Sequence, residues 1–95
     1  MTEDPLVQQF REQIWANDRA IIAGINRRLT LVARLKWYKE EHGIPLFDPD
    51  REEKLVQTAL WENRGPLSRQ ELERAYRDLL ALTKREIFEN GDRPG

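Results

Sequence analysis

The sequence predicts an all-α protein built from three helices, of which the first is unusually long. Three blocks rich in Leu, Ala, Glu, Arg and Gln are separated by short segments that contain proline and glycine. This composition favours helix. No block shows the period-two alternation of apolar and polar residues that is typical of a half-buried strand. We therefore expect one helical domain over residues 1–95, without a sheet.

The first helix is predicted over about residues 5–42. Asp4 is a good N-cap, Pro5 suits the first helical position, and Gly43 can adopt the left-handed conformation that ends a helix. At 1.5 Å per residue such a helix is roughly 57 Å long. Two shorter helices cannot cover it in a compact monomer, so we expect it to pair with a second copy in a homodimer.

The other two helices begin at equally clear signals. The second, about 49–63, begins at Asp48 with a proline in the first helical position. The third, about 68–90, begins at a capping box formed by Ser68 and Glu71. Short loops join the three helices. The sequence shows no internal repeat or low-complexity segment.

Composition narrows the class of protein. The chain has no cysteine and one histidine, His42, which excludes a disulfide framework and argues against a structural zinc site. A formal net charge of −1 is unlike that of a strongly basic nucleic-acid binder. The N-terminus lacks the basic and apolar regions of a signal peptide, and no apolar run approaches the ~20 residues of a membrane span. We expect a cytoplasmic protein.

One apolar face of the first helix carries charged residues. Each is most simply a salt-bridge partner, but Arg11, Arg28 and Lys39 outnumber the one acid, Asp18. Charged groups at core positions are costly unless they are paired, so the pattern indicates an anion supplied from elsewhere. In steps of seven, the two rows of this face are Val7, Ile14, Ile21, Arg28 and Leu35, and Arg11, Asp18, Ile25, Val32 and Lys39.

Distances along the helix indicate how these cations are shared. Arg11 and Arg28 are roughly 25 Å apart along the axis, too far to hold one small ligand from the same chain. If both serve one site, Arg11 belongs to the second chain. Two further residues are unusual: Arg51 opposes the dipole at the start of the second helix, and Thr83 interrupts the apolar stripe of the third. The simplest reading of Thr83 is a hydroxyl bonded back to the preceding turn.

These residues together resemble the all-α (AroQ-type) chorismate mutase family, from about Leu6 to Ile87. The resemblance implies a homodimer with intertwined first helices and two sites, each completed by one arginine of the other subunit. It also implies the conversion of chorismate into prephenate on the route to phenylalanine and tyrosine, without a metal or cofactor. The set that carries the resemblance is Arg11, Asp18, Arg28, Lys39, the segment Gly43–Phe47, Asp48, Arg51 and Glu52.

The resemblance assigns the charged residues to the substrate. It implies that Arg11 of one chain and Arg28 of the other clamp carboxylates, with Arg51 assisting. It implies that Lys39 binds the ether oxygen and a carboxylate. Cations fixed in a dry pocket would restrain a dianion and stabilise the charge that develops on the breaking ether bond.

The remaining roles implied by the resemblance are polar contacts to the ring and apolar walls. Glu52 and the region of Asp48 would take the ring hydroxyl. Thr83 stands where the family often has serine, and Leu35 and Leu80 would form apolar walls.

One position departs from the family. A glutamine usually follows the Ser/Thr by four residues and contacts the ether oxygen, but here that position is Ile87. A lost donor of this kind typically costs on the order of 10²–10³ in rate. This predicts modest activity, or a site completed by Glu86, Lys84 or a partner protein. Two alternatives stay open: a weakly active helical-dimer module that serves another shikimate-pathway enzyme, and an isochorismate pyruvate lyase.

Overall fold

A computed structural model describes residues 4–89 of the chain. It contains three α-helices, α1 (Pro5–Glu41), α2 (Pro49–Glu62) and α3 (Arg69–Thr83), and a π-helical segment, Lys84–Glu89, that follows α3. No strand occurs within this part of the chain, so the predicted all-α fold class is confirmed. The predicted end of the third helix near residue 90 lies outside the described residues.

Side-chain caps begin each helix where the sequence predicts them. Oδ1 of Asp4 accepts hydrogen bonds from the backbone N–H groups of Leu6 and Val7, at 2.8 and 3.2 Å. Oδ1 of Asp48 accepts one from the N–H of Arg51 at 3.1 Å. These carboxylates satisfy N–H groups that have no partner inside the helix, and their charge complements the helix dipole.

The start of α3 and the end of α1 follow the same logic. Oγ of Ser68 accepts a hydrogen bond from the N–H of Glu71 at 3.2 Å, which is the first bond of a capping box. Gly43 has φ +64°, and the next N–H, of Ile44, returns to the carbonyl oxygen of Lys39 at 2.9 Å. A residue with a Cβ is strained in this left-handed turn, which explains the glycine.

The described residues divide after Leu31 into two compact units. The first contains the N-terminal part of α1. In the second, α2 packs against α3, and the buried apolar side chains among the described residues are Val56 and Leu60. Thr83 is buried with them.

The exposure of α1 differs from the prediction. None of its 37 residues, all of them described, is fully buried. Ile14, Ile21 and Leu35, assigned above to the core face, are 60%, 52% and 51% exposed. The other predicted row agrees better with the structure, because Asp18, Ile25, Val32 and Lys39, which are spaced by seven, are all half-buried. The half-buried positions are Asp18, Ile25, Arg28 and Leu29 in the first unit, and Val32, Lys36 and Lys39 in the second.

The third helix also departs from a regular α-helix. It was predicted as α-helix to its end, but from Lys84 onward the bonding is of the wider i→i+5 type. A wider turn directs both Ile87 and Phe88 inward, and both are half-buried. The Phe88 ring packs on Phe47 of the loop before α2, with centroids 4.9 Å apart. This contact joins the end of the third helix to that loop.

Candidate active site

Lys39 is a half-buried cation near the end of α1. Within residues 4–89 its ammonium group has neither a hydrogen bond nor an ion pair, whereas its carbonyl oxygen is used in the helix-ending turn. A half-buried charge without a partner is unfavourable. An anionic ligand would supply the missing partner.

The first turn of α2 presents three predicted site residues. Asp48 uses its carboxylate to cap the helix, so its side chain already has a structural role. Arg51 is exposed, and its backbone N–H donates to that cap. Glu52 is half-buried and follows directly.

Glu52 forms an ion pair with Lys84. Nζ of Lys84 lies 3.0 Å from Oε2 of Glu52, which links the first turn of α2 to the residue after Thr83. The carboxylate expected to take a ring hydroxyl is therefore already neutralised by a cation. The sequence analysis named both residues but did not pair them.

A surface cavity of about 330 Å³ lies beside this ion pair, between α2 and α3. It includes Glu52 and Leu80 of the predicted site, and Leu80 is half-buried as an apolar wall requires. The other predicted residues, apart from Lys84, do not line it. Its lining consists of Pro49, Glu52, Glu53, Arg77, Leu80, Ala81 and Lys84.

A second ion pair borders the same cavity. Arg77 donates to Glu53 with both terminal nitrogens at 3.2 Å, and its Nε donates to Glu73 at 3.0 Å. Hydrogen bonds from Arg77 hold the pKa of the Glu53 carboxyl below its usual range, and hydrogen bonds to Glu53 raise the pKa of Arg77. These exposed groups connect α2 to α3 on the surface.

Thr83 is 4% exposed, and its hydroxyl donates to the carbonyl oxygen of Leu79 at 2.8 Å. This is the bond to the preceding turn that the sequence analysis gave as the simplest reading. Its proton is committed to Leu79, so a substrate oxygen that needs a donor from Thr83 would compete with this carbonyl.

The residue at the glutamine position, and the two residues expected to compensate for it, lie differently. Ile87 is half-buried and apolar, whereas Glu86 is exposed. Lys84 is engaged by Glu52. None of the three is a half-buried donor on the turn that follows Thr83.

Lys36 is a residue that sequence reasoning missed. It is half-buried on α1, one turn before Lys39, and its Nζ donates to the carbonyl oxygen of Ile87 at 3.2 Å. The same Nζ lies 5.7 Å from the centroid of the Phe88 ring. Its position could have been found from the sequence, because it lies four residues after Val32 and three before Lys39. This spacing places all three residues on the same side of α1.

Arg11 and Arg28 belong to the first unit, where Arg11 is exposed and Arg28 is half-buried. Leu35, predicted as an apolar wall, is about half exposed. The roles predicted for these three residues depend on a second subunit, so they stay predictions.

Between residues 4 and 89 no three His, Asp or Glu side chains converge as a metal site requires. No helix in that range is long and apolar enough to cross a membrane.

The structure thus describes an all-α protein in which α1 carries the half-buried cations Lys36 and Lys39, and in which Asp48 caps α2 beside the Glu52–Lys84 ion pair. A family model described as chorismate mutase type II matches residues 10–86. The chain therefore belongs to the chorismate mutase type II family, as the resemblance predicted.

Individual relatives agree with this family. The chain is 35% identical over 51 residues to a 4-amino-4-deoxychorismate mutase of Streptomyces venezuelae, a match that covers 54% of this chain and 50% of that protein. It is similar in structure to chorismate mutase of Thermus thermophilus in two crystal forms. The TM-scores are 0.77 and 0.76 at 25% identity, and the matches cover 81% of this chain and 96% and 88% of those chains.

Proposed function

We propose that this protein is a chorismate mutase, an isomerase that converts chorismate into prephenate on the cytoplasmic route to phenylalanine and tyrosine. The family model across residues 10–86 supports the reaction. The observation that carries the proposal for this chain is Lys39, a half-buried cation whose ammonium has no partner within the described residues. A dianionic substrate would supply the missing negative charge.

The reaction suits a site made of fixed charges. In the rearrangement an ether C–O bond breaks while a C–C bond forms within the same molecule, and no proton enters or leaves. The protein must hold a reactive conformer and stabilise negative charge that develops on the ether oxygen. We assign that oxygen and a carboxylate to Lys39, and the carboxylates to Arg28 and Arg51.

We propose that the active protein is a homodimer in which Arg11 enters the site of the other subunit. Large apolar side chains are exposed along α1, which has no buried residue of its own. Apolar rows of this length mark protein interfaces. The most exposed of these side chains are Leu6, Phe10, Ile14, Trp15, Ile21, Ile22, Leu35, Trp37 and Tyr38.

Glu52 and the region of Asp48 are assigned to the ring hydroxyl of the substrate. Leu80, Leu35, Thr83, Ile87 and Glu86 complete the proposed surroundings. A second candidate substrate is 4-amino-4-deoxychorismate, because a relative of 35% identity is named for it. The two substrates differ in carrying a hydroxyl or an amine at one ring position.

The test is the loss of chorismate absorbance with purified protein, with prephenate identified as the product, over a range of pH. The amino analogue and isochorismate are assayed in parallel, the latter for released pyruvate. Turnover of chorismate to prephenate at neutral pH supports the proposal. Turnover of isochorismate alone identifies a lyase, and no turnover of any substrate favours a module that serves another enzyme.

A further inference from the structure

Lys36 and Lys39 lie on one side of α1. They are three residues apart, so their side chains are neighbours on the helix surface, and both are half-buried. Both side chains are long enough to reach a ligand beside this part of α1. The proposed function uses only Lys39.

The ammonium group of Lys36 lies against the turn that follows Thr83. Its Nζ is 3.2 Å from the carbonyl oxygen of Ile87 and 5.7 Å from the Phe88 ring centroid. Both of these residues belong to the π-helical segment Lys84–Glu89, and both are half-buried. Lys36 therefore reaches the same turn of the third helix at which the apolar Ile87 side chain stands.

Other polar residues on this turn are less well placed. Glu86 is exposed, and Lys84 is held by Glu52 at 3.0 Å. Among the described residues near Ile87, Lys36 is thus the half-buried side chain that combines a positive charge with hydrogen-bond donors.

We propose that Lys36 is a further catalytic residue, which donates a hydrogen bond to the ether oxygen of the substrate beside Lys39. This inference rests on the proposed function. As the ether bond breaks, its oxygen gains negative charge, and a hydrogen bond from a cation strengthens with that charge. A charged oxygen is a better acceptor than a neutral carbonyl oxygen, so it would attract the ammonium group of Lys36 in the transition state.

The first experiment replaces Lys36 by methionine, which has a similar length and can pack on Phe88. We expect kcat for chorismate to fall by about 10²-fold with little change in KM, because the lost interaction forms mainly in the transition state. Lys36→Arg should retain part of the activity. The control is Lys54→Met on the exposed side of α2, which should keep wild-type kinetics and the same Tm.

A second pair of variants separates catalysis from structure. If Lys36 only caps the end of the helix, Lys36→Met lowers Tm, and a glutamine at position 87 does not restore activity. If Lys36 is the donor, adding Ile87→Gln to Lys36→Met should recover at least tenfold in kcat. Ile87→Gln alone should then raise wild-type activity less than threefold, because the donor is already present.

The outcomes distinguish the two proposals. Wild-type turnover with full activity in Lys36→Met overturns the role of Lys36 and leaves the mutase function intact. A gain of tenfold or more in kcat from Ile87→Gln alone would also overturn the role of Lys36, because it would show that the wild-type site lacks a donor to the ether oxygen. A wild-type protein that neither turns over chorismate nor binds an oxabicyclic dicarboxylate shaped like the transition state overturns both.

Discussion

The ammonium nitrogen of Lys84 lies 3.0 Å from Oε2 of Glu52, so the residue that follows α3 is tied to the first turn of α2. Glu52 is the carboxylate that we assign to the ring substituent. A cation at this distance compensates its charge. The ion pair should therefore influence which substituent the site accepts.

The ion pair predicts a preference for a ring hydroxyl over a ring amine. An amine is an ammonium ion at neutral pH, and Lys84 would repel it. We expect Lys84→Gln to raise the ratio of kcat/KM for 4-amino-4-deoxychorismate to that for chorismate by about tenfold, or ~1.4 kcal/mol. Arg77→Gln, which alters the same cavity without touching Glu52, is the control. An unchanged ratio in Lys84→Gln would contradict the prediction.

We expect replacement of Lys39 to cause the largest loss of activity among the single substitutions. Lys39→Ala removes a half-buried cation, and we expect kcat/KM to fall by about 10²–10³ or more while the helical content and oligomeric state stay the same. Steady-state kinetics and circular dichroism check the rate and the helical content. A folded Lys39→Ala protein with the wild-type rate would refute the assignment of the site.

The shared site predicts complementation between two inactive variants. Arg11→Ala and Arg28→Ala should each be nearly inactive as homodimers. In a mixed dimer one of the two sites has both arginines, so activity should return after subunit exchange. Mass spectrometry of differently tagged subunits verifies the exchange, and verified heterodimers without activity would argue against a site that spans two chains.

The Glu53–Arg77 pair predicts a pH dependence of stability. Because the pKa of Glu53 is lowered in the folded chain, its contribution is fully present above the unfolded carboxyl pKa and is lost as pH falls through the lowered value. The raised pKa of Arg77 affects the free energy of unfolding only in strong base, where an arginine begins to lose its proton. The difference in unfolding free energy between wild type and Arg77→Gln should therefore shrink in acid. Urea titrations at neutral and acidic pH measure it, and a difference that is constant with pH would contradict it.

Local signals in the sequence were sufficient for the helices. Asp4, Asp48 and Ser68 each cap the helix that they were predicted to begin, and Gly43 adopts the left-handed conformation. Capping depends on neighbours within three residues, so it can be read without tertiary structure. The family was recognisable for a similar reason, because its charged residues have a characteristic spacing.

Contacts between helices were not predictable in the same way. The sequence contained Lys84 and Glu52 as separate candidates, but their pairing depends on how α2 and α3 pack. The inward turn of Phe88 onto Phe47 depends on a π-helical segment that composition does not reveal. Lys36 was overlooked because it lies on neither of the two rows predicted as the apolar face, although the structure half-buries it together with Lys39.

The sequence by itself determined the all-α class, the limits at which the helices begin, and the family with its set of cations. These depend on local propensity, capping and spacing along the chain. Only the tertiary structure decided which charges meet. It paired Glu52 with Lys84 and brought Lys36 to Ile87. The physical reason is that such contacts depend on the packing angle and register of whole helices, which no short window of sequence contains.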